Sequence, residues 1–152
     1  MNSEEKNLLL KAERFCAYQE RCGYEVEQKL KNLGADQKIS SKIIASLREN
    51  NFLNEERFAK LFASGKFRIK RWGKNKIRAE LRMKKVSDHL ISNALDSINE
   101  EEYQKTIQHL IIKKGKETGN VEVKIKNQKI FRFLLSKGFE SHLVLKILNF
   151  KS

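Results

Sequence analysis

The residues Phe52-Leu53-Asn54-Glu55-Glu56-Arg57-Phe58-Ala59 open the stretch around which the rest of the chain is organised. The Asn54 side chain can accept a hydrogen bond from a free N–H of a first helical turn, so Asn54 is a suitable N-cap. The carboxylates of Glu55 and Glu56 would then lie at the positive end of the helix dipole. Apolar residues follow at spacings typical of a helix, at Phe58, Leu61, Phe62 and Phe67. The pattern predicts a helix that begins after Asn54 and ends by Gly73.

Two further helices are predicted between Gly73 and Ile98. Ile77 and Leu81 lie one helical turn apart, which indicates an amphipathic second helix. The third helix carries the apolar residues Ile91, Ala94, Leu95 and Ile98. Ser87 precedes this series and is a suitable N-cap. The stretch is therefore interpreted as three short helices in succession.

This three-helix pattern has a counterpart later in the chain. The segment 53–58 recurs as 98–103, at an offset of 45 positions, and the segment 76–81 recurs as 129–134, at an offset of 53. The third helix keeps the offset of 53 positions without a gap. The additional residues therefore lie between the first and second helices of the later copy, where residues 113–120 fit. Such a match favours an internal repeat.

An earlier copy precedes these two. Val26 and Leu30 stand 51 positions before Ile77 and Leu81. Its third helix would carry Ile43-Ile44 and Leu47. Its first helix is predicted from Ser3 to about Arg21, with an inner side at Leu8, Ala12, Phe15 and Tyr18 or Gln19.

In each copy a short turn is expected between the second and third helices. These turns are Gly34-Ala35, Lys85-Val86-Ser87 and Gly138-Phe139-Glu140. One segment, 121–125, alternates apolar and polar residues like a strand. Because the chain offers no second strand to pair with it, we expect a loop or the start of a helix there.

The predicted fold class is all-α, with three tandem three-helix repeats that form an elongated array, straight or curved. The domains are predicted at 1–52, 53–98 and 99–152, the second being central and basic. One such copy could hardly offset its chain entropy, about 1–2 kcal/mol per residue, whereas tandem copies share faces. The absence of proline from the sequence is compatible with uninterrupted helices. A single globular bundle with accidental internal similarity is the alternative.

The composition restricts where the protein works. No window approaches 18 consecutive apolar residues, so we expect no membrane association through a spanning helix. The first residues, Met1-Asn2-Ser3-Glu4-Glu5, lack the basic and apolar regions of a secretory signal. Cys16 and Cys22 are poorly placed to pair with each other within one helical region. We therefore expect a reducing, cytoplasmic location.

No catalytic, metal or cofactor site is predicted. The histidines His89, His109 and His142 are scattered, without partners at metal-ligand spacing. Neither cysteine has a neighbouring base that would make it a nucleophile, and Cys22 is expected to end the first helix with a half-buried thiol. The segment 115–118 resembles the tail of a phosphate-binding loop but lacks its first glycine. We therefore expect a protein that is not an enzyme and carries no cofactor.

The charge is concentrated in the later part of the chain. The net charge is +1 over residues 1–52, +7 over 53–98 and +5 over 99–152, which accounts for the total of +13. Between Lys66 and Lys85 there are ten Lys or Arg residues and a single acid, Glu80. Such a block indicates a polyanionic partner, either nucleic acid or an acidic protein surface. A solvated helix face is the alternative.

The candidate binding residues lie in and around this block. They are Lys66, Arg68, Lys70, Arg71, Trp72, Lys74, Lys76, Arg78, Lys84 and Lys85. Arginine matches phosphate or carboxylate with its planar fork, and an indole can stack on a base or fill a notch on a protein. Trp72 as a core residue and Trp72 as a contact residue remain equally open.

The central stretch resembles the RecX family of bacterial regulatory proteins, which modulate the RecA recombinase. The resemblance lies in Leu53-Asn54-Glu55-Glu56-Arg57-Phe58-Ala59, followed by Gly73, by Ile77-Arg78-Ala79-Glu80-Leu81 and by a Lys-Val turn. It extends over nearly the whole chain, because the family is also built from three tandem three-helix repeats. Lys85 departs from the family pattern, which has glycine at that position.

The resemblance implies a non-enzymatic modulator that lies in the groove of a RecA filament on single-stranded DNA. The first hypothesis is therefore a monomer that binds the RecA filament and restrains filament growth, strand exchange or ATP turnover. The second is a module that binds single- or double-stranded DNA without RecA. A helical adaptor of another kind is the third.

Overall fold

The fold is all-α, as the residue spacing predicts. The computed structural model describes the backbone of residues 1–151 and the side chains of residues 1–149. Within this described part of the chain there are nine helices and no strand. Their bounds are α1 Ser3–Tyr18, α2 Gly23–Asn32, α3 Gln37–Glu49, α4 Glu55–Arg68, α5 Lys74–Met83, α6 Asp88–Asp96, α7 Glu100–Thr118, α8 Val123–Ser136 and α9 Ser141–Lys151.

The same N-cap geometry begins the first helix of each copy. The side-chain oxygens of Asn2, Asn54 and Asn99 accept hydrogen bonds from the backbone N–H three residues further on, at 2.8, 2.9 and 2.9 Å. These bonds satisfy one of the donors that a helix start leaves unpaired. The prediction that Asn54 caps its helix is confirmed.

The turn between the second and third helices is repeated three times with the same geometry. Gly34, Lys85 and Gly138 have φ angles of +89°, +60° and +97°. In each copy the residue after this one donates its N–H to a carbonyl five residues earlier, as Ala35 does to Leu30 at 3.0 Å. This left-handed ending satisfies the free carbonyls at the end of the second helix. The copies therefore share a turn as well as an apolar pattern.

The chain divides into two compact units. The first unit comprises Met1–Leu61 and Leu81–Ser92, and the second comprises Phe62–Glu80 and the chain from Asn93 onward. The division passes through α4, α5 and α6. The helices themselves fall three to each predicted repeat, whereas the repeat boundaries after residues 52 and 98 remain a prediction.

The core of the first unit is formed where α1, α2 and α3 pack against one another. Its buried residues are Leu8, Ala12, Cys16, Val26, Leu30, Ile43, Ile44, Leu47 and Leu53. The placement of Val26, Leu30 and Leu47 on inner faces is confirmed. The predicted extension of α1 to Arg21 is wrong, because the helix ends at Tyr18, whose side chain is 84% exposed.

The prediction that Cys22 ends the first helix with a half-buried thiol is wrong. This residue does not end α1 but directly precedes α2, and its side chain is fully buried. Its N–H donates to Glu25 Oε1 at 3.1 Å, which fixes the start of α2. Both cysteines are free and buried. Burial raises the pKa of the thiols of Cys16 and Cys22 to about 11.

The core of the second unit is formed by α7, α8 and α9, which pack pairwise. The rings of Phe67, Tyr103 and Phe139 lie in a row, tilted against one another, with neighbouring centroids 5.6 and 5.3 Å apart. The extra residues of the later copy lengthen α7 to 19 residues, against 14 for α4. Because residues 115–118 form its last turn, a phosphate-binding loop there is excluded.

The inner face of α4 differs from its prediction. Phe58 and Phe67 are buried as predicted, but Leu61 is 55% exposed and Phe62 is only partly buried. The small side chains of Ala59 and Ala63 occupy the buried face instead. Spacing alone indicates where an apolar stripe runs, but not whether large or small side chains face the neighbouring helices.

Two other features of the described chain bear on earlier expectations. Residues 119–122 are not helical and α8 begins at Val123, so the loop-to-helix interpretation of 121–125 is confirmed. None of the helices in the described chain combines the length and the apolar character that a membrane-spanning segment requires.

Candidate polyanion-binding site

The basic block begins at the end of α4 and continues through a short loop into α5. Lys66 and Arg68 belong to the last turn of α4, and Lys74 opens α5. Between them the chain reverses at Arg71, which has a φ of +56°. The Trp72 N–H donates to the Lys66 carbonyl at 3.1 Å and so closes the end of the helix. The loop 69–73 therefore has a defined backbone.

This loop is held against the turn between α8 and α9. The Gly73 N–H donates to the Lys137 carbonyl at 2.7 Å, and the Asn75 N–H donates to the Gly138 carbonyl at 2.9 Å. A Cβ on Gly73 would overlap the backbone of Gly138 and Phe139. A Cβ on Gly138 would likewise overlap Lys76. Because the two backbone segments approach too closely for a side chain, glycine is required at Gly73. We call this arrangement the Gly73–Gly138 contact.

Tyr103, from α7, adds side-chain hydrogen bonds to the same contact. Its hydroxyl donates to the Glu140 carboxylate and accepts a hydrogen bond from the Lys74 N–H, 2.9 Å away. The residue is fully buried, and burial together with the bond to Glu140 raises the pKa of the Tyr103 hydroxyl above its usual range. A neutral hydroxyl therefore joins the start of α5 to the start of α9.

Some of the predicted binding residues are engaged within the protein. Arg68 lies 3.6 Å from the Glu102 carboxylate, Lys74 lies 3.7 Å from Glu100, and Lys84 lies 3.2 Å from Glu25. The segment 66–85 contains few acids that could pair with these cations. In the folded protein their partners come from distant parts of the sequence. Their capacity to attract a further anion is reduced accordingly.

Other members of the set keep an unopposed charge. Among the residues that the structure describes, no carboxylate forms an ion pair with Lys66, Lys70, Arg71, Lys76, Arg78 or Lys85. All but Lys85 belong to the second unit, whereas Lys85 belongs to the first, with Nζ 5.2 Å from the ring centroid of Tyr24. The unopposed charge is therefore concentrated around the end of α4 and the start of α5.

Trp72 lies at the centre of this charge. Its ring is partly buried, with Lys66 Nζ 4.9 Å and Lys76 Nζ 4.6 Å from the ring centroid. Cations over an indole face are attracted by the negative face of the ring. The indole is thus partly packed and partly accessible, and its role as a contact residue stays a prediction.

A groove in the second unit brings in residues that sequence reasoning missed. Its cations are Lys70, Arg71, Lys113, Lys114 and Lys137, with one acid, Glu117. We call it the basic groove. Lys113 and Lys114 come from α7 and Lys137 directly follows α8. The basic residues within 113–116 are visible in the sequence. The sequence does not show that they lie beside the loop that carries Lys70 and Arg71.

The described residues contain no group of three or more His, Cys, Asp or Glu side chains placed to hold a metal ion. The side chains that line this site include ammonium, guanidinium and aromatic groups. Such a set can bind phosphates or carboxylates and can stack on planar groups.

Comparison with known proteins places the chain in a family. The family model of the second three-helix domain of RecX matches residues 54–95, and that of the third three-helix domain matches residues 100–148. The chain belongs to the RecX family. The predicted resemblance is thereby confirmed, and it includes the part of the chain that carries the basic groove.

Individual RecX proteins are also similar to this chain in sequence. The regulatory protein RecX of Lactobacillus johnsonii is 30% identical over 85% of this chain, and that of Clostridium perfringens strain 13 is 34% identical over 76%. The chain spans about half the length of the curated relatives it matches, 48% and 55% for these two.

A solved RecX structure shows the same fold. The crystal structure of RecX from Lactobacillus salivarius superposes with a TM-score of 0.89 at 23% identity, and the match covers 98% of this chain and 97% of the other. Because the identity is low, this likeness concerns the fold only.

Proposed function

We propose that this protein is a non-enzymatic regulator that binds RecA filaments on single-stranded DNA and restrains their activity. Membership of the RecX family carries the proposal, since two family domains account for residues 54–95 and 100–148. The unopposed cations around Trp72 support it, because a filament on DNA presents acidic side chains and phosphates to whatever binds along it.

The contacts would be made by the side chains that the protein does not neutralise itself. Lys66 and Lys76 flank Trp72, and the Arg78 guanidinium donates a hydrogen bond to the Asn75 side chain, at 2.9 Å. Repeated modules can contact repeated subunits, so weak contacts add through effective concentration. Restraint then follows from occupying the filament and needs no catalytic group.

The direct test is RecA-dependent ATP hydrolysis on single-stranded DNA, measured as this protein is titrated from below to above the RecA concentration. We expect hydrolysis to fall as the protein is added, and equal amounts of a basic protein of unrelated fold to leave it unchanged. Unchanged hydrolysis at excess protein would refute the proposal.

A second candidate is direct binding to nucleic acid without RecA. The basic groove favours it, since five cations there face one acid. Capture of purified RecA by the immobilised protein in the absence of DNA supports the first function. Capture of DNA but of no RecA, with or without DNA present, supports the second.

A further inference from the structure

The Lys137 amine is held at a fixed position inside the second unit. Lys137 directly follows α8, and its Nζ donates a hydrogen bond to the Lys70 carbonyl at 2.7 Å. Lys70 precedes the loop segment that the Gly73–Gly138 contact holds against the turn between α8 and α9. The side chain of Lys137 is only partly buried, so a small molecule can reach it. A neutral carbonyl therefore positions this amine, and its positive charge is left without a carboxylate to balance it.

The basic groove around this amine has a surplus of positive charge. It encloses about 510 Å³, within the range of ordinary ligand sites of about 300–1,000 Å³. Its one acid, Glu117, lies 3.9 Å from Lys114. The other cations of the lining form no ion pair with a carboxylate among the described residues, namely Lys70, Arg71, Lys113 and Lys137. A small ligand that carries a phosphate group is complementary to such a lining.

The surroundings of Lys137 also favour the uncharged form of its amine. Partial burial lowers the pKa of Lys137, and nearby charges lower it further, those of Lys76, Arg71, Lys70 and Lys113. The uncharged amine is the nucleophilic form of lysine, and neighbouring cations are one means of activating it. An uncharged amine has two N–H groups and one lone pair. It can therefore keep its hydrogen bond to the Lys70 carbonyl and still react.

The groove thus places a nucleophile beside groups that can hold a phosphate. An acyl phosphate joins the two requirements in one small molecule, because its phosphate is an anion and its carbonyl carbon is open to attack by an amine. Cations that hold the phosphate would bring that carbon close to Lys137 and make the reaction effectively unimolecular. The same cations would stabilise the negative charge that builds up on the leaving phosphate.

We propose that Lys137 is a modification site, at which small acyl phosphates acylate the protein. The lone pair of Lys137 Nζ attacks the carbonyl carbon and forms a C–N bond. The bond from that carbon to the bridging oxygen breaks, and its electron pair leaves with the phosphate. The nitrogen loses one proton, which the released phosphate takes up through water. The products are an amide and inorganic phosphate, so no oxidant or reductant is required.

Acylation would change the charge of the groove but not its frame. An amide at Lys137 carries no positive charge, so one of the five cations of the lining is lost. One N–H remains on the nitrogen and can still donate to the Lys70 carbonyl. The attraction of the groove for anions would fall while the Gly73–Gly138 contact is kept. The reaction does not involve RecA, so it goes beyond the proposed function and is tested without that protein.

The test compares two acetylating reagents on the folded protein. Acetyl phosphate can be held through its phosphate, whereas acetic anhydride has no charge and measures only how reactive and accessible each amine is. Labelling is kept substoichiometric, and the rate at each lysine is measured by mass spectrometry. Lys124 and Lys146 are the reference amines, since both are exposed and lie outside the groove. We expect the ratio of the Lys137 rate to the reference rates to be roughly tenfold higher with acetyl phosphate than with acetic anhydride.

Two controls examine the role of the groove. Excess inorganic phosphate, added at constant ionic strength, should lower the ratio for acetyl phosphate to its value for acetic anhydride. Lys113→Gln removes one cation of the groove and should lower the same ratio by about threefold. Lys116→Gln removes the same charge from an exposed position of α7 outside the groove, and we expect it to leave the ratio unchanged. Circular dichroism of both variants verifies that the helices are retained.

Each other result overturns the inference. Equal ratios for the two reagents would show that the groove does not hold the phosphate. Faster acetylation by acetyl phosphate at any lysine other than Lys137 would assign the reactive amine elsewhere. Equal effects of Lys113→Gln and Lys116→Gln would show that overall charge, and not the groove, attracts the reagent. Inhibition of RecA by the unmodified protein is measured separately, so failure here leaves the proposed function standing.

Discussion

Lys85 occupies a left-handed position where the two equivalent turns have Gly34 and Gly138. The turn geometry is the same in all three copies, so a side chain is accepted at this position at a cost in backbone energy. The departure of Lys85 from the family pattern therefore alters the energy of the turn and not its shape.

Replacement of Lys85 by glycine is expected to stabilise the protein by roughly 0.5–1 kcal/mol, because glycine has no Cβ to oppose a positive φ. Urea unfolding followed by circular dichroism measures the effect. Lys85→Ala is the control, since it also removes the ammonium near Tyr24 but keeps a Cβ. A glycine variant no more stable than the alanine variant would contradict the explanation.

The two buried thiols predict a pH dependence of alkylation. Burial raises the pKa of Cys16 and Cys22 from 9.0 to about 11, so at pH 8 the thiolate fraction is about a hundredfold lower than in the unfolded chain. Modification by iodoacetamide, followed by mass spectrometry, should therefore be slow in the folded protein. Its rate should rise steadily towards pH 11, whereas the rate in denaturant levels off above pH 9.

The same shift has a consequence for stability. The unfolded thiols titrate near pH 9 and the folded thiols near pH 11, so unfolding releases protons between these values. The contribution of the buried thiols is complete below pH 9 and is lost as the pH rises towards 11. In the iodoacetamide experiment, equal alkylation rates at pH 8 in native buffer and in denaturant would contradict the burial of both thiols.

At the scale of elements, the Gly73–Gly138 contact joins a loop of the central copy to a turn of the last one. Each partner is fixed by its own helix ending, Gly73 by the reversal at Arg71 and Gly138 by its positive φ. Two backbone hydrogen bonds and the hydroxyl of Tyr103 hold the elements together. The position of the basic loop therefore depends on contacts distant in sequence.

Gly73→Ala is expected to destabilise the protein by roughly 2–3 kcal/mol, because the added Cβ would overlap the backbone of Gly138 and separate the hydrogen-bonded partners. Gly65→Ala makes the same chemical change inside α4, where nothing lies within 4 Å of the new atom. That control should gain about 0.5–1 kcal/mol from helix propensity. The free energy of unfolding of both variants is measured by urea titration. A gain in stability in both would show that the Gly73–Gly138 contact has room for a Cβ.

At the scale of the whole molecule, only part of the net charge of +13 is available to a partner. Lys60 and Lys105 form ion pairs with Glu56 and Glu101 one turn away on their own helices. Lys66 and Lys76 instead lie over Trp72 and have no carboxylate partner among the described residues. Ion pairing thus separates lysines whose charge is compensated on their own helix from the two lysines beside Trp72, whose charge is not.

Lys66→Ala with Lys76→Ala should therefore raise the concentration needed to inhibit RecA-dependent ATP hydrolysis by roughly tenfold, a loss of about 1.4 kcal/mol in binding. Lys60→Ala with Lys105→Ala removes the same total charge and should change that concentration by about twofold or less. Inhibition that falls equally in both pairs would show that total charge governs the interaction and would remove the surface around Trp72 from it.

Much of the fold could be predicted because helices, caps and turns depend on residues close together in the chain. Asn54 and Asn99 cap their helices through a hydrogen bond spanning three residues, and Ile77 and Leu81 face inward at one helical turn. The failures at Leu61 and Tyr18 have the opposite origin. Each side chain continues an apolar or aromatic series, but its exposure is set by which neighbouring helix is present beside it.

The sequence by itself determined the helical class, the threefold recurrence of the helix pattern and the location of the basic block, since all three follow from local spacing and composition. Only the tertiary structure decided which cations are neutralised, as Lys84 is by Glu25, and which converge, as Lys113 and Lys137 do beside Arg71. Charges interact through space over a few ångströms. Their partners are therefore chosen by long-range contacts such as Gly73 with Gly138, which no local pattern encodes.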